Sequence, residues 1–275
     1  MNYFKYEIHC EDSFQEILIA FLADLPFDSF DEHSYGFNAY LPEKDYDPSL
    51  DLHLDQLQNS FQFTYERMFI KGENWNTEWE KNFSPIVVDE FCGIRANFHE
   101  PIPGVQFDLI INPKMAFGTG HHETTRMMIR QMEKIDVKGT RILDFGTGTG
   151  VLAILAVKLG ASYVEGIEIE VPACENAVEN CAINNTDAAI KIICGGLDKA
   201  ESIGFDIILA NINRNVILES INTLHSLLKE GGILLTSGYI LEDIPKMEEA
   251  FLSSGFSLQN RLEEGNWVCH QVRRP

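Results

Sequence analysis

The chain has 275 residues, more than the usual single domain of about 100–200, and its 45% hydrophobic and 11% aromatic content supports a substantial core and excludes a disordered chain. Its 21 Lys and Arg against 42 Asp and Glu give a formal net charge of -21, which repels phosphate backbones, excludes free DNA as a direct partner and favours basic proteins or amines. Cys10, Cys92, Cys174, Cys181, Cys194 and Cys269 form no CxxC pair and no dense framework, and no apolar run approaches the roughly 18 residues of a membrane span, which excludes a zinc ribbon, a disulfide scaffold and a transmembrane anchor.

In chain order, the opening MNYFKYEIHCEDSF has no basic segment followed by an apolar stretch, so a cytoplasmic protein is expected. Tyr3–His9 alternates as a strand does, Ser13–Leu22 has the spacing of an amphipathic helix, and Asp28–His33 and Tyr35–Leu41 are two strands turning near Ser34 and Gly36. An acidic helix over Asp47–Leu57 and a strand over Phe61–Ile70 complete a βαββαβ series, which predicts a small ferredoxin-like α+β domain over residues 1–70. Residues 71–82 are read as a linker helix, in which Trp75 and Trp79 share a face at i and i+4. Pro85 to Ile111 holds short β-rich runs broken by the HEPIPG turn.

From about Thr124 helix-like and strand-like blocks alternate: TTRMMIRQMEKI, RILDFG, VLAILAVKLG, YVEGIEIE, PACENAVENCAIN, IKIICGG, FDIILANI, VILESINTLHSLLKEG and GILLTSGY. Runs that are apolar throughout, such as DIILANI, suit parallel strands covered on both faces, so residues 83–275 are predicted to be a doubly wound α/β domain.

The glycine turn Gly146–Gly150, GTGTG, follows the strand Arg141–Asp144 and precedes the helix VLAILAVKLG, which puts a ligand site at the carboxyl end of that strand. Several cofactors can exploit such a turn. The third glycine is Gly150 and position 151 is Val, so the GxGxxG spacing of a dinucleotide site is not met. Twenty-two residues after Gly146, Glu168 ends the next strand, where its carboxylate can accept hydrogen bonds from both hydroxyls of a ribose; Glu170 is near but has left the strand. Asn211 ends FDIILANI and is delivered to the same crevice, where it can accept from an incoming amine or, alternatively, cap the helix that begins near Asn215. In the loop Phe117–Thr125, FGTGHHETT, the adjacent His121, His122 and Glu123 point apart and no third well-spaced metal ligand accompanies them.

DxGxGxG, with Asp144 before Gly146, resembles the first motif of the class I methyltransferases. Taken with NPKMAFGTGHHETT, LDFGTGTGVLAILAVKLGA, ANI and the upstream NWNTEWEKNFSPIVV, the chain from about Trp75 to its end resembles the methyltransferases of large-subunit ribosomal protein eleven. The resemblance implies a Rossmann-like class I methyltransferase domain behind a small recognition domain and a linker. It also implies S-adenosyl-L-methionine as cofactor and transfer of methyl groups to lysine side chains and the N-terminal amine of that basic ribosomal protein. By the same resemblance Thr125, Gly146, Gly148, Gly150, Glu168 and Asn211 contact the cofactor, Phe117 and Thr119 belong to the loop that closes over it, and Asn211 orients the amine. The family usually has THPTT where residues 121–125 read HHETT, Asp at position 168 and Leu at position 213; base methyltransferases carry an NPPY-like tetrad where residues 211–214 read NINR. A dedicated base is not required by this reading; His122, an imidazole of the loop, is the candidate for one. Two alternatives stay open: a class I methyltransferase for another protein or a small amine, and a non-catalytic module that keeps cofactor recognition only.

Overall fold

The computed structural model describes residues 2–23, 25–33, 35–58, 61–70, 84–112 and 120–275. The expected linker helix with Trp75 and Trp79, and the segment 113–119 with Phe117 and Thr119, lie outside the described residues. The chain divides into two compact units, Met1–Phe83 and Ser84–Pro275.

In the first unit β1 (Tyr3–Cys10), α1 (Asp12–Ala23), β2 (Ser29–His33), β3 (Gly36–Pro42), α2 (Ser49–Gln58) and β4 (Phe63–Ile70) follow one another. The sheet order is β2-β3-β1-β4, and every neighbouring pair is antiparallel. Strand periodicity explains which face is covered: Tyr6 and Ile8 of β1 and Phe37, Ala39 and Leu41 of β3 are fully buried, and Leu18, Leu22, Leu50 and Leu54 of the two helices close over them. Asp51 at the start of α2 accepts from the hydroxyls of Tyr6 and Tyr46, each at 2.8 Å, and pairs with Arg67 of β4, which ties helix to sheet.

The second unit opens with a small sheet, β5 (Ile86–Val88), β6 (Cys92–Arg95) and β7 (Phe107–Ile110), in which β7 is an edge strand parallel to β6. The main alternation follows: α3 (Glu123–Glu133), β8 (Arg141–Phe145), α4 (Val151–Lys158), β9 (Tyr163–Glu168), α5 (Val171–Ile183), β10 (Ile190–Cys194), β11 (Phe205–Asn211), α6 (Arg214–Leu227), β12 (Leu228–Ile240), α7 (Ile244–Ser253), β13 (Ser257–Glu264) and β14 (Trp267–Arg273). The seven strands are ordered β10-β9-β8-β11-β12-β14-β13; β8 to β12 run parallel, and β14 is antiparallel to both its neighbours. Alternate residues of one strand serve opposite cores, with Ile207 and Leu209 of β11 in one and Ile208 and Ala210 in the other, which is why the run reads as apolar throughout. β9 and β11 lie on opposite sides of β8, so strand order reverses there and a crevice opens at the carboxyl ends. Among the described residues no helix is long and apolar enough to cross a membrane.

Candidate functional site

A cavity of about 920 Å³ occupies that crevice, within the usual range of about 300–1,000 Å³ for small-molecule sites. Gly146 and Gly148 of the turn after β8, Glu168 at the end of β9 and Asn211 at the end of β11 all line it, so three separate segments of the sequence converge where parallel strands end. Phe145, Ile167, Ile212, Val216 and Trp267 make the wall largely apolar.

The glycine turn is held from two sides. Ile167 of β9 accepts from the amides of Gly146 at 2.8 Å and Thr147 at 3.0 Å, and the amide of Gly148 donates to Glu168 Oε2 at 3.0 Å. Gly146 has φ of +74°, and a Cβ there would lie 2.2 Å from Ile212 Cγ2, so both backbone and space require glycine. Glu168 also accepts through Oε1 from the amides of Ile169 at 2.8 Å and Glu170 at 3.1 Å. A carboxylate has about four acceptor positions, so one remains on Oε2, on the edge of the cavity.

Asp144 lies beneath the turn and is 1% exposed. Burial raises its carboxyl from 3.8 to about 6 and the Glu168 charge adds to this, against the Thr147 hydroxyl, which donates to Oδ2 at 2.6 Å, and the Ala153 amide. A carboxyl whose value is raised by folding contributes stability at pH below its unfolded value and loses it as pH rises through its folded value. Asp144→Asn removes this titration, so between about pH 5 and about pH 7.5 the variant is expected to gain on the order of 1 kcal/mol relative to the parent chain. Urea unfolding of both at the two pH values measures it; a stability difference that does not change with pH contradicts the assignment.

Asn211 is fixed by α3: its Nδ2 donates to Thr125 Oγ1 at 3.2 Å, and Thr125 is 1% exposed. With Nδ2 so engaged, Oδ1 is buried and has no hydrogen-bond partner among the described residues. A buried acceptor left unpaired costs roughly 1–3 kcal/mol, which marks it as a group awaiting a donor. The helix cap weighed for Asn211 belongs instead to Asn213, whose Oδ1 accepts from the Asn215 amide at 2.8 Å. The polar residue at 213 therefore spends its acceptor on the start of α6.

His122 has a structural task. It is the N-cap of α3, its Nδ1 accepting from the Thr124 amide at 3.3 Å beside the Thr124 hydroxyl at 2.9 Å, and its ring meets Trp267 edge-on at 4.5 Å between centroids. Its Nδ1 is thus engaged at the start of α3.

Of the residues expected from sequence, Gly146, Gly148, Glu168 and Asn211 line the cavity. Thr125 stands behind Asn211 and Gly150 is the N-cap of α4 with φ of +82°, so these two support the lining without belonging to it. Phe117 and Thr119 lie outside the described residues. Sequence reasoning missed Gly238 and Trp267, which also line the cavity. Gly238 carried a usable signal, a glycine at the carboxyl end of a parallel strand with Ser237 paired to Asn211; Trp267 arrives through the antiparallel insertion of β14 and carried none.

The family profile described as Ribosomal protein L11 methyltransferase (PrmA) matches residues 21–275. A relative from Porphyromonas gingivalis named Ribosomal protein L11 methyltransferase is 41% identical over 258 residues, 92% of this chain and 89% of that protein. One of the same name from Bacteroides thetaiotaomicron is 34% identical over 284 residues, 98% of each. Among solved structures, a ribosomal protein L11 methylase from Lactobacillus delbrueckii subsp. bulgaricus superposes with a TM-score of 0.65 at 30% identity, over 70% of this chain and 99% of that one.

Proposed function

This chain belongs to the ribosomal protein L11 methyltransferase family, and from that premise we propose that it methylates amines, both lysine side chains and the N-terminal amine, of its own ribosomal protein L11. The observation that carries the amine assignment is the unpaired Asn211 Oδ1 on the cavity wall, an acceptor held in place for an N–H donor.

S-adenosyl-L-methionine is the methyl donor, and when bound it supplies an electrophilic methyl group on a sulfonium. The residues fit it: the turn lined by Gly146 and Gly148 and closed by Gly150 would hold it, Glu168 would offer its remaining acceptor position to the ribose, and Asn211, with Thr125 behind it, would border the reacting end. Phe117 and Thr119 are proposed as further cofactor contacts.

The protein's task is alignment and protonation control. A lysine amine of pKa about 10.4 is neutral in only about one part in a few thousand at pH 7, and its ammonium form cannot attack. The apolar wall of Phe145, Ile212, Val216 and Trp267 favours the neutral amine by desolvation, and Asn211 accepts one of its N–H bonds so that the lone pair faces the methyl. No dedicated base is needed, in keeping with the capping role of His122.

The first unit serves as the substrate-recognition domain, with the ferredoxin-like order of elements. The net charge of -21 supports a basic ribosomal protein as partner and speaks against direct DNA binding, and the protein works in the cytoplasm with its substrate. Incubation with S-adenosylmethionine and purified L11, followed by fragmentation mass spectrometry, tests the amine assignment. Methyl groups on the α-amine and on lysine Nζ are expected; methylation confined to carboxylates, amides or arginines contradicts it.

A further inference from the structure

Asn176 and Asn180 of α5 and its C-cap Asn184 recur at i, i+4 and i+8 on one face, and all are at most 4% exposed. Amides so deep in a protein are mostly paired, and each of these reaches backbone outside its own helix; Asn184 Nδ2 also donates to the Asn180 carbonyl at 2.8 Å, and Asn176 Oδ1 alone of their amide groups has no partner among the described residues. Asn184 takes both groups of Ile110, its Oδ1 accepting from the amide at 3.0 Å and its Nδ2 donating to the carbonyl at 2.6 Å. Asn180 Oδ1 accepts from the Asn112 amide at 3.0 Å, and Asn176 Nδ2 donates to the Asn112 carbonyl at 2.8 Å.

The alternation explains the spacing. Ile111 donates toward β6, to the Arg95 carbonyl at 2.8 Å, so Ile110 and Asn112 face the open edge of the small sheet, and the asparagine column stands where another strand would be. Asn180 differs from Asn184 in one respect: its Nδ2 leaves the edge and donates to the carbonyl of Thr149 at 2.9 Å, inside the glycine turn.

That bond has a conformational consequence. Thr149 sits between Gly148 at φ +56° and Gly150 at φ +82°, and two glycines leave the intervening peptide groups free to reorient. Without Asn180 the Thr149 carbonyl would lose this partner, and the turn would relax toward arrangements that find it another, moving Gly146 and Gly148 on the cavity wall.

We propose that Asn180 is a positioning residue for methyl transfer: acting through the Thr149 carbonyl and the Asn112 amide, it sets the glycine turn against the end of the small sheet, whereas Asn184 serves only as a strand substitute. The inference rests on the reading that this turn receives the cofactor.

The test compares Asn180→Ala with Asn184→Ala, by melting temperature and by calorimetric titration with S-adenosylhomocysteine. Asn180→Ala loses two hydrogen bonds and Asn184→Ala three, one of them to the Asn180 carbonyl, so a fall in melting temperature at least as large is expected for Asn184→Ala. Only Asn180→Ala is expected to weaken binding, by about 10-fold, and to raise the KM for S-adenosylmethionine in step; Asn184→Ala should stay within about 2-fold. Asn180→Asp keeps the acceptor for Asn112 and removes the donor to Thr149, and it should reproduce the weakened binding even where the alanine variant fails to fold. Parent-like binding by a folded Asn180 variant, or equal weakening by Asn184→Ala, overturns the proposal. Failure of the parent chain itself to bind would overturn the cofactor reading and the inference with it.

Discussion

Asn211→Ala is expected to slow methyl transfer on the order of 100-fold in single turnovers at saturating cofactor, with little change in melting temperature. The expectation follows from the amide's two ends. Nδ2 is tied to Thr125, which α3 holds nearly out of solvent, so the side chain cannot rotate freely; Oδ1 is left pointing to no protein partner among the described residues. An acceptor held this way loses no freedom when the amine arrives, and it directs the lone pair only while it is present. Alanine removes the acceptor and the Thr125 contact together. Asn211→Asp, which keeps an oxygen at the same position, should retain more activity than alanine. Equal activity of Asn211→Ala and the parent chain would contradict the role.

Glu168→Ala is expected to weaken S-adenosylhomocysteine binding about 100-fold, as the loss of charge-assisted hydrogen bonds worth roughly 1.5–3 kcal/mol requires. Two effects add. The carboxylate is an acceptor for the ribose, and through the Gly148 amide it also connects the glycine turn to the end of β9, while Ile169 and Glu170 hold its other oxygen. Removing it leaves those three amides without this partner. Glu170 lies on the same wall but only begins α5, with no side-chain capping bond, so Glu170→Ala should change affinity by less than about 3-fold. Calorimetric titration of both variants decides; similar losses from the two would mean that the carboxylates act by charge alone.

What was legible in the sequence was what local pattern encodes. The strand, turn and helix from Arg141 to Lys158 could be read because an apolar strand, positive-φ glycines and an apolar helix are adjacent in the chain. Glu168 and Asn211 were recognisable because each ends a parallel strand of one sheet, and such ends meet at one edge. In the first unit the element order was readable while boundaries moved by a residue or two: α2 runs Ser49–Gln58 rather than Asp47–Leu57, because Asp47 accepts from the Ser49 amide and caps the helix from outside it.

Long-range pairing was not readable. β14 follows β13 in the chain yet enters between β12 and β13, and nothing local to WVCHQVR says that Trp267 will reach the cavity. The asparagines of ENAVENCAIN are visibly spaced by a helical turn, but their backbone partners outside the helix are 31 to 74 residues away, so the sequence reveals the column and conceals its purpose. His122 was read as a candidate base and is a helix cap, as is Asn213, noted only as a departure from the family's usual Leu; polar residues before an apolar run fill that role readily.

The most direct measurement of the central claim is the intact mass of purified L11 from the same source after incubation with S-adenosylmethionine and this protein, beside a second basic ribosomal protein and a Glu168→Ala control. Successive methyl-sized gains on L11 alone, absent with the variant, are the result this account predicts. An unchanged L11 mass from an enzyme that binds S-adenosylhomocysteine, or equal gains on both ribosomal proteins, would contradict it.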